Sequence, residues 1–279
     1  MRWTLWPAAS AKSCRFKGEK KMFEVNSETV KKQHDAIVNF IKTWFSDKSG
    51  PAVIGISGGK DSTVCAALLV EALGADRVLG VTMPNDIQVD IEDSYKVCEI
   101  LGIKHYNVNI GEAYKALNAA IPLAARVSGL NGVYTSNTPA RLRMVTLYGI
   151  AAQVGGFVCN TCNLSESIVG WETYGGDGFG DFSPIGLLTV TEVLALGDYL
   201  DLPQRLVHKA PSDGMCGATD EDKFGFTYAE LDDAIRNDVH GEHYGKMVQM
   251  NKRSHFKHEN IHIPTANPDM HINKDFNWN

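Results

Sequence analysis

Residues 51–64, PAVIGISGGKDSTV, constrain the fold of this 279-residue chain more than any other stretch. PAVIGIS is short, β-branched and apolar on both parities, the pattern of a strand buried inside a parallel sheet rather than one with a wet face. Gly58 and Gly59 break the run. From Asp61 to Leu73, Val64, Cys65, Leu68 and Leu69 then fall on one helical face. A buried strand that turns through glycines into a helix cannot fold alone, because the strand needs parallel neighbours and cover on both faces.

The rest of the chain offers those neighbours. Residues 77–84, 105–110 and 156–161 read as strands. Residues 27–45 read as an amphipathic helix capped by Ser27, and 89–101 as a helix ended by Gly102. Further helices are expected at 112–125 and at 137–155, the latter with Asn137 or Thr138 as cap and Pro139 in its first turn. The segment 170–188 is rich in glycine and aromatics and too long for a plain connector, so it is expected to be a functional loop. Helices are expected again at 189–200, 228–237 and 239–252. Alternating strands and helices imply an α/β, Rossmann-like parallel sheet with helices on both faces. No linker divides the chain, so residues 22–279 are read as one domain and residues 1–21 as a disordered extension.

Hydrophobic residues make up 44% of the sequence and charged residues 22%, which supports a packed core. With 27 basic and 33 acidic residues the net charge is −6, which argues against a nucleic-acid partner held on a broad basic face. No apolar run approaches the roughly 20 residues that span a bilayer, so no membrane partner is expected. Six scattered cysteines without a secretion signal suit a reducing cytoplasm.

Parallel sheets bind ligands at the carboxyl ends of their strands. Gly58 and Gly59 stand there, and without Cβ atoms they let backbone N–H groups approach an anion. The helix that follows adds its positive end. The ordinary P-loop does not fit, since Lys60 is followed by Asp61 rather than Ser or Thr. The G-x-G-x-x-G fingerprint fails at Ser57. What remains is S-G-G-x-D-S, filled as Ser57-Gly58-Gly59-Lys60-Asp61-Ser62. The plain alternative is a glycine turn that only packs helix on strand. The motif resembles the pyrophosphate loop of ATP pyrophosphatases, of the adenine nucleotide alpha-hydrolase-like fold. The resemblance implies that ATP leaves as AMP and pyrophosphate, with magnesium on the aspartate.

The segments NTPARLRM (137–144), NTCNLSESIVGWETYGGDGFGDFSPIGLLT (160–189), KAPSDG (209–214) and GFTYAELDDAI (225–235) occur in that order. Together they resemble the ammonia-dependent NAD synthetases, from about residue 30 onward. No amidase domain precedes the loop, so the ammonia-using form is the one implied. The resemblance implies amidation of deamido-NAD through an adenylate, with ATP, deamido-NAD and ammonia as reactants and a homodimer whose dinucleotide site lies near the two-fold axis.

Carried over residue by residue, the resemblance gives Gly55, Ile56, Ser57, Gly58, Gly59, Lys60, Asp61 and Ser62 to ATP, with Gln88, Thr161 and Ser212 as further ATP contacts. Asp61 and Glu166 become magnesium ligands. Arg141, Asp181 and Lys257 become deamido-NAD contacts, and Asp177 a base that helps strip a proton from ammonium. Three positions depart from the family pattern, with Thr82, Tyr174 and Val190 standing where positive charges are usual. Lys60, Lys209 or Arg143 are the available replacements. An RNA-modifying enzyme of the same superfamily, or a nucleotide-binding homologue that has lost activity, stay open alternatives. Cys159 and Cys162 form a C-x-x-C read as a buried strand cysteine and an incidental neighbour. The acidic pair Asp232 and Asp233 reads as a solvated helix face, and the histidine-rich tail as a polar one.

Overall fold

β1 (Ala52–Gly55) is flanked on both sides by parallel strands, β2 (Val78–Thr82) and β4 (Phe157–Val158). β2 also pairs in parallel with β3 (Lys104–Asn107), so the order is β3-β2-β1-β4. Val53 lies opposite Leu79 on one side and Val158 on the other. The computed structural model describes residues 22–209, 219–259 and 263–277. The expected extension 1–21 and Ser212 lie outside the described residues.

Pleating explains why β1 is apolar on both parities. Ala52, Ile54 and Ile56 point into one core layer, where Ile37 and Ile41 of α1 (Ser27–Trp44), Leu68 and Leu69 of α2 (Lys60–Leu73) and Val97 of α3 (Ile91–Leu101) meet them. Val53 points the other way with Leu79, Val81 and Val158, against Met144, Leu147 and Ala151 of α5 (Gly132–Val154). Each such side chain contributes roughly 1.5–3 kcal/mol on burial. Helices therefore cover both faces, as expected of this strand pattern. α4 (Gly111–Ala125) connects β3 to α5 and buries only Gly111.

After β4 come α6 (Leu164–Val169), α7 (Val190–Tyr199), α8 (Gln204–Val207), α9 (Asp220–Phe224), α10 (Tyr228–Asn237) and α11 (Tyr244–Ser254). α7 joins the layer of α1 and α2 through Val193 and Leu196. α6, α10 and α11 build a second cluster around Leu164, Phe224, Leu231 and Met247. Among the described residues no helix is long and apolar enough to cross a membrane.

Several local expectations change. Asn26, not Ser27, caps α1: its Oδ1 accepts from the N–H groups of Glu28 and Thr29, and Thr29 Oγ1 accepts from Asn26 N–H, so the box is closed one residue earlier. α5 starts at Gly132, where Asn131 Oδ1 accepts from Tyr134 N–H, and Pro139 sits inside the helix rather than at its start. α11 begins at Tyr244, not 239. The short helices α6, α8 and α9 lacked enough turns to show periodicity. Asp232 is buried, 6% exposed, because it accepts from Ser165 Oγ at 2.5 Å and from Thr191 N–H at 2.7 Å. It ties α10 to the starts of α6 and α7, and only its neighbour Asp233 faces out.

Candidate active site

The turn after β1 is held by its own hydroxyls. Ser57 N–H donates to Ser62 Oγ at 3.2 Å, Gly59 N–H donates to Ser57 Oγ at 3.2 Å, and Ser62 Oγ donates to Gly59 O at 3.2 Å. Gly58 has φ +78, and a Cβ there would come within 2.8 Å of Asp93 Cβ, so glycine is required by backbone and by space. Gly59 caps α2 with no side chain across the first-turn N–H groups. The helix therefore presents open donors and its positive end beside a glycine turn, an arrangement that receives an anion.

Lys60 is 6% exposed, with Nζ 2.9 Å from Asp61 Oδ2 and 5.9 Å from the centre of the Tyr228 ring. Burial opposes its charge, but Asp61 and Glu166 outweigh burial and raise its pKa. Asn163 caps α6, with Oδ1 accepting from Glu166 N–H at 3.0 Å and its own N–H donating to Glu166 Oε2 at 3.2 Å. Asn163 Nδ2 reaches across to Asp61 Oδ1 at 3.0 Å. Lys60, Asp61, Asn163 and Glu166 thus meet between the N-termini of α2 and α6. Burial first, then the charge of Asp61, pushes the Glu166 carboxyl up to about 8. Behind them burial raises Asp220 and Tyr228, whose hydroxyl donates to Asp220 Oδ2 at 3.4 Å.

When Glu166 is ionised, Asp61 and Glu166 supply hard carboxylate oxygens with more negative charge than Lys60 neutralises. That donor set suits a small dication whose remaining positions are filled by phosphate oxygens and water. No cluster of three or more His, Cys, Asp or Glu able to hold a metal by protein ligands alone occurs among the described residues.

The glycine-rich loop is wired onto β4 by Asn160. Its Nδ2 donates to Asp177 O at 2.8 Å and Phe179 O at 3.1 Å, and its Oδ1 accepts from Cys162 N–H and Ser183 Oγ. A Cβ on Gly180 would meet Asn160 at 2.7 Å, so the loop can lie this close only with glycine there. Asp177 accepts from Thr173 N–H at 2.6 Å; it is open to solvent, yet surrounding protein raises its carboxyl by desolvation. Thr161 is half-buried three residues beyond the end of β4, next to Asn160.

Several of the remaining expected contacts are engaged with other protein groups. Asp181 Oδ2 accepts from Val158 N–H at 2.7 Å, and Oδ1 accepts from Tyr148 OH at 3.3 Å. Arg141 is exposed on α5, with Nε donating to Tyr174 O at 3.1 Å. Gln88 Nε2 donates to Asp90 Oδ1 at 3.0 Å. Lys257 Nζ donates to Gly170 O at 2.7 Å and Glu172 O at 2.6 Å, so it clamps the loop backbone. Gly55 ends β1 and Ile56 follows it into the turn.

Of the departures, Thr82 is fully buried and accepts from Asn107 Nδ2, and Val190 is 5% exposed in the second core cluster. Both side chains are buried within the protein. Tyr174 is 42% exposed and packs edge-on to Phe179 and beside Phe256. Lys209 pairs with Asp90 and Asp93, and Arg143 Nε donates to Met83 O while burial lowers its pKa against the pull of Asp177. Cys159 and Cys162 are free, buried thiols. Within CNTCN (159–163), the asparagines rather than the cysteines make the cross-links between elements. Asn160, Asn163 and Tyr228 were not foreseen, and the one available signal was two asparagines spaced to flank the carboxyl end of a strand.

The family model for NAD synthase matches residues 33–261. The chain is 41% identical over 212 residues to the NH3-dependent NAD+ synthetase of Methanococcoides burtonii, covering 75% of this chain and 80% of that one. Among solved structures it is similar to the NMN synthetase of Francisella tularensis, at TM-score 0.74 and 35% identity, covering 84% of this chain and 98% of that one. The NH3-dependent NAD synthetase of Campylobacter jejuni gives TM-score 0.66 and 26% identity over 84% of this chain and 98% of that one. The chain belongs to the NAD synthase family.

Proposed function

We propose that this chain makes NAD from deamido-NAD, ATP and ammonia. The observation that carries the reading is the meeting of Lys60, Asp61 and Glu166 at the open N-terminus of α2, with Asp177 on the loop anchored by Asn160. In this reading the nicotinate carboxylate attacks the α-phosphorus of ATP. The bond from that phosphorus to the bridging oxygen breaks, and pyrophosphate leaves with the electron pair. The Ser57–Ser62 turn and the α2 terminus hold the departing phosphates. A magnesium ion held by Asp61 and Glu166 would neutralise charge on those phosphates. Asp177 accepts a proton from ammonium, which has no lone pair until it loses one. Ammonia then attacks the acyl carbon, and AMP leaves. Gln88, Thr161 and Ser212 are assigned to ATP, and Arg141, Asp181 and Lys257 to the dinucleotide, the last by holding the loop.

Two further points belong to this reading. Leu123, Val127, Val133 and Val145 are 49–81% exposed along α4 and α5 and the turn between them, apolar side chains whose cover we assign to a second copy of the chain. The compartment assumed is a reducing cytoplasm, where cysteines such as the four buried ones stay thiols.

The test is mass detection of NAD and AMP after mixing protein, ATP, magnesium, deamido-NAD and ammonium. Release of ADP and phosphate, or intact ATP, refutes it. Glutamine alone should give no product. A second reading changes only the acid. The similarity to an NMN synthetase favours nicotinate mononucleotide, and offering both acids in the same assay decides between them.

A further inference from the structure

Lys60 and Asp61 are neighbours at the start of α2, and Lys60 Nζ lies 2.9 Å from Asp61 Oδ2. Adjacent residues of a helix do not face each other, so the surroundings rather than the helix hold this pair. Lys60 is turned inward, with 7% of its side chain exposed against 20% for Asp61. The Tyr228 ring lies 5.9 Å from Nζ, and the carboxyls of Glu166 and Asp220 add their charge to that of Asp61 in favouring the ammonium. The other oxygen of Asp61 is also taken, by Asn163 Nδ2 at 3.0 Å. The chain thus covers both oxygens of the carboxylate assigned to magnesium. Asn163 is neutral and can stay beside a metal ion. Lys60 cannot do so without cost, because two cations on one buried carboxylate repel and salt screens a buried pair little.

A displaced ammonium needs a new partner, and the nucleotide brings one. Thr82 and Val190, where the family pattern has positive charges, are buried and uncharged. Of the three available replacements, Lys209 Nζ is held by Asp90 at 2.7 Å and Asp93 at 2.9 Å, and Arg143 Nε by Met83 O at 3.0 Å. Lys60 is the one of the three that stands at the N-terminus of α2, and its four-carbon stem lets the ammonium swing. Asp220, behind it, already receives the Tyr228 hydroxyl. We propose that Lys60 is an exchangeable cation: a dication arriving with ATP takes Asp61 from it, and its ammonium moves onto the β- and γ-phosphates. Metal therefore enters with the nucleotide rather than ahead of it. No covalent bond changes in the exchange. The proposal rests on the reading of this site as one for ATP and magnesium.

Binding rather than turnover tests the exchange. The probes are Mn2+ alone, standing in for magnesium and followed by the spin-resonance signal of the free ion, and Mn2+ with α,β-methylene-ATP, whose α–β bridge does not cleave. Failure of the unmodified protein to bind the metal–nucleotide pair refutes the ATP reading itself rather than this proposal. Given that binding, Lys60→Met should hold Mn2+ alone about tenfold more tightly than the unmodified protein, and the metal–nucleotide pair about tenfold less tightly. The opposite signs mark exchange, since a merely structural role for Lys60 would weaken both. Lys60→Arg, which keeps the charge, should hold Mn2+ alone as weakly as the unmodified protein. Adding Asp61→Asn to Lys60→Met should abolish the gain for Mn2+ alone, and a gain that persists places the ion elsewhere and overturns the proposal. Unchanged or weaker binding of Mn2+ alone by Lys60→Met also overturns it. In the unmodified protein, Mn2+ should bind more tightly with the analogue than without it. Equal affinities overturn the proposal whether or not the variants fold.

Discussion

Asn163 Nδ2 donates to Asp61 Oδ1 at 3.0 Å, across 102 residues of sequence. The same residue caps α6 and accepts from Glu166 N–H at 3.0 Å. One side chain therefore helps set the separation of the two carboxylates that we propose share a cation. Asn163→Ala should cost about 1 kcal/mol as a lost cap. It should also lower turnover by up to about a hundredfold through a misplaced Asp61. A melting curve with a steady-state assay checks both, and a variant that loses stability but keeps turnover would show that Asp61 needs no such guide.

Asp61→Asn should lower turnover by about a thousandfold, the scale of a lost charge contact on a leaving group. The fold should survive, because Lys60 keeps Glu166 as a counter-charge and the repulsion between Asp61 and Glu166 is removed. Near-normal turnover by a folded variant would mean that the phosphates are neutralised elsewhere.

How much of this site was legible in the sequence depends on how far its parts reach. The Ser57–Ser62 turn is local: its hydroxyls bond within six residues, so the motif and its place after a buried strand could be read directly. Alternation of strands and helices fixed the layer order for the same reason. Asn160 and Asn163 act on partners that chain proximity does not announce. The C-x-x-C at Cys159 and Cys162, read as incidental, is indeed two buried free thiols. α5 was placed five residues late because Pro139 resembles a first-turn proline, whereas Asn131 supplies the actual cap. Asp232 looked solvated because sequence shows its charge but not the Ser165 hydroxyl and Thr191 N–H that pull it inside.

Asp232 makes a pH prediction. Burial pushes its carboxyl up to about 6, against 3.8 in the unfolded chain. Between those values the folded state binds more protons than the unfolded one, so stability falls as pH rises from about 4 to about 6. The cost reaches at most about 3 kcal/mol for a shift of this size. Asp232→Asn removes the titration. The difference in unfolding free energy between the two proteins should therefore change with pH across that window and level off above it. A constant difference would mean that Asp232 ionises normally.

Lys257 should act through the loop rather than by touching ligand. Lys257→Met removes two charge-assisted bonds to Gly170 O and Glu172 O, each worth about 1.5–3 kcal/mol. Amide hydrogen exchange over residues 170–177 should speed up, and the Michaelis constant for the acid substrate should rise more than that for ATP. Unchanged exchange with a raised Michaelis constant would instead make Lys257 a direct contact.

The exposed apolar side chains of α4 and α5 carry the last prediction. α4 spans 15 residues and buries only Gly111, which leaves Leu123 at 81% and Val145 of α5 at 69% exposure. An isolated monomer would keep this surface wet, whereas a two-fold partner presents the same face in return and hides both at once. α5 also carries Arg141, so a partner seated there would stand close to the site that receives the acid. Leu123→Asp with Val145→Asp places like charges on both halves of such a contact. Sedimentation should find the unmodified protein dimeric and the double variant monomeric. The variant should also bind the acid substrate more weakly while its pyrophosphate loop still binds ATP. A monomer in both cases would return the exposed face to the surface of a single chain and remove the partner from the site.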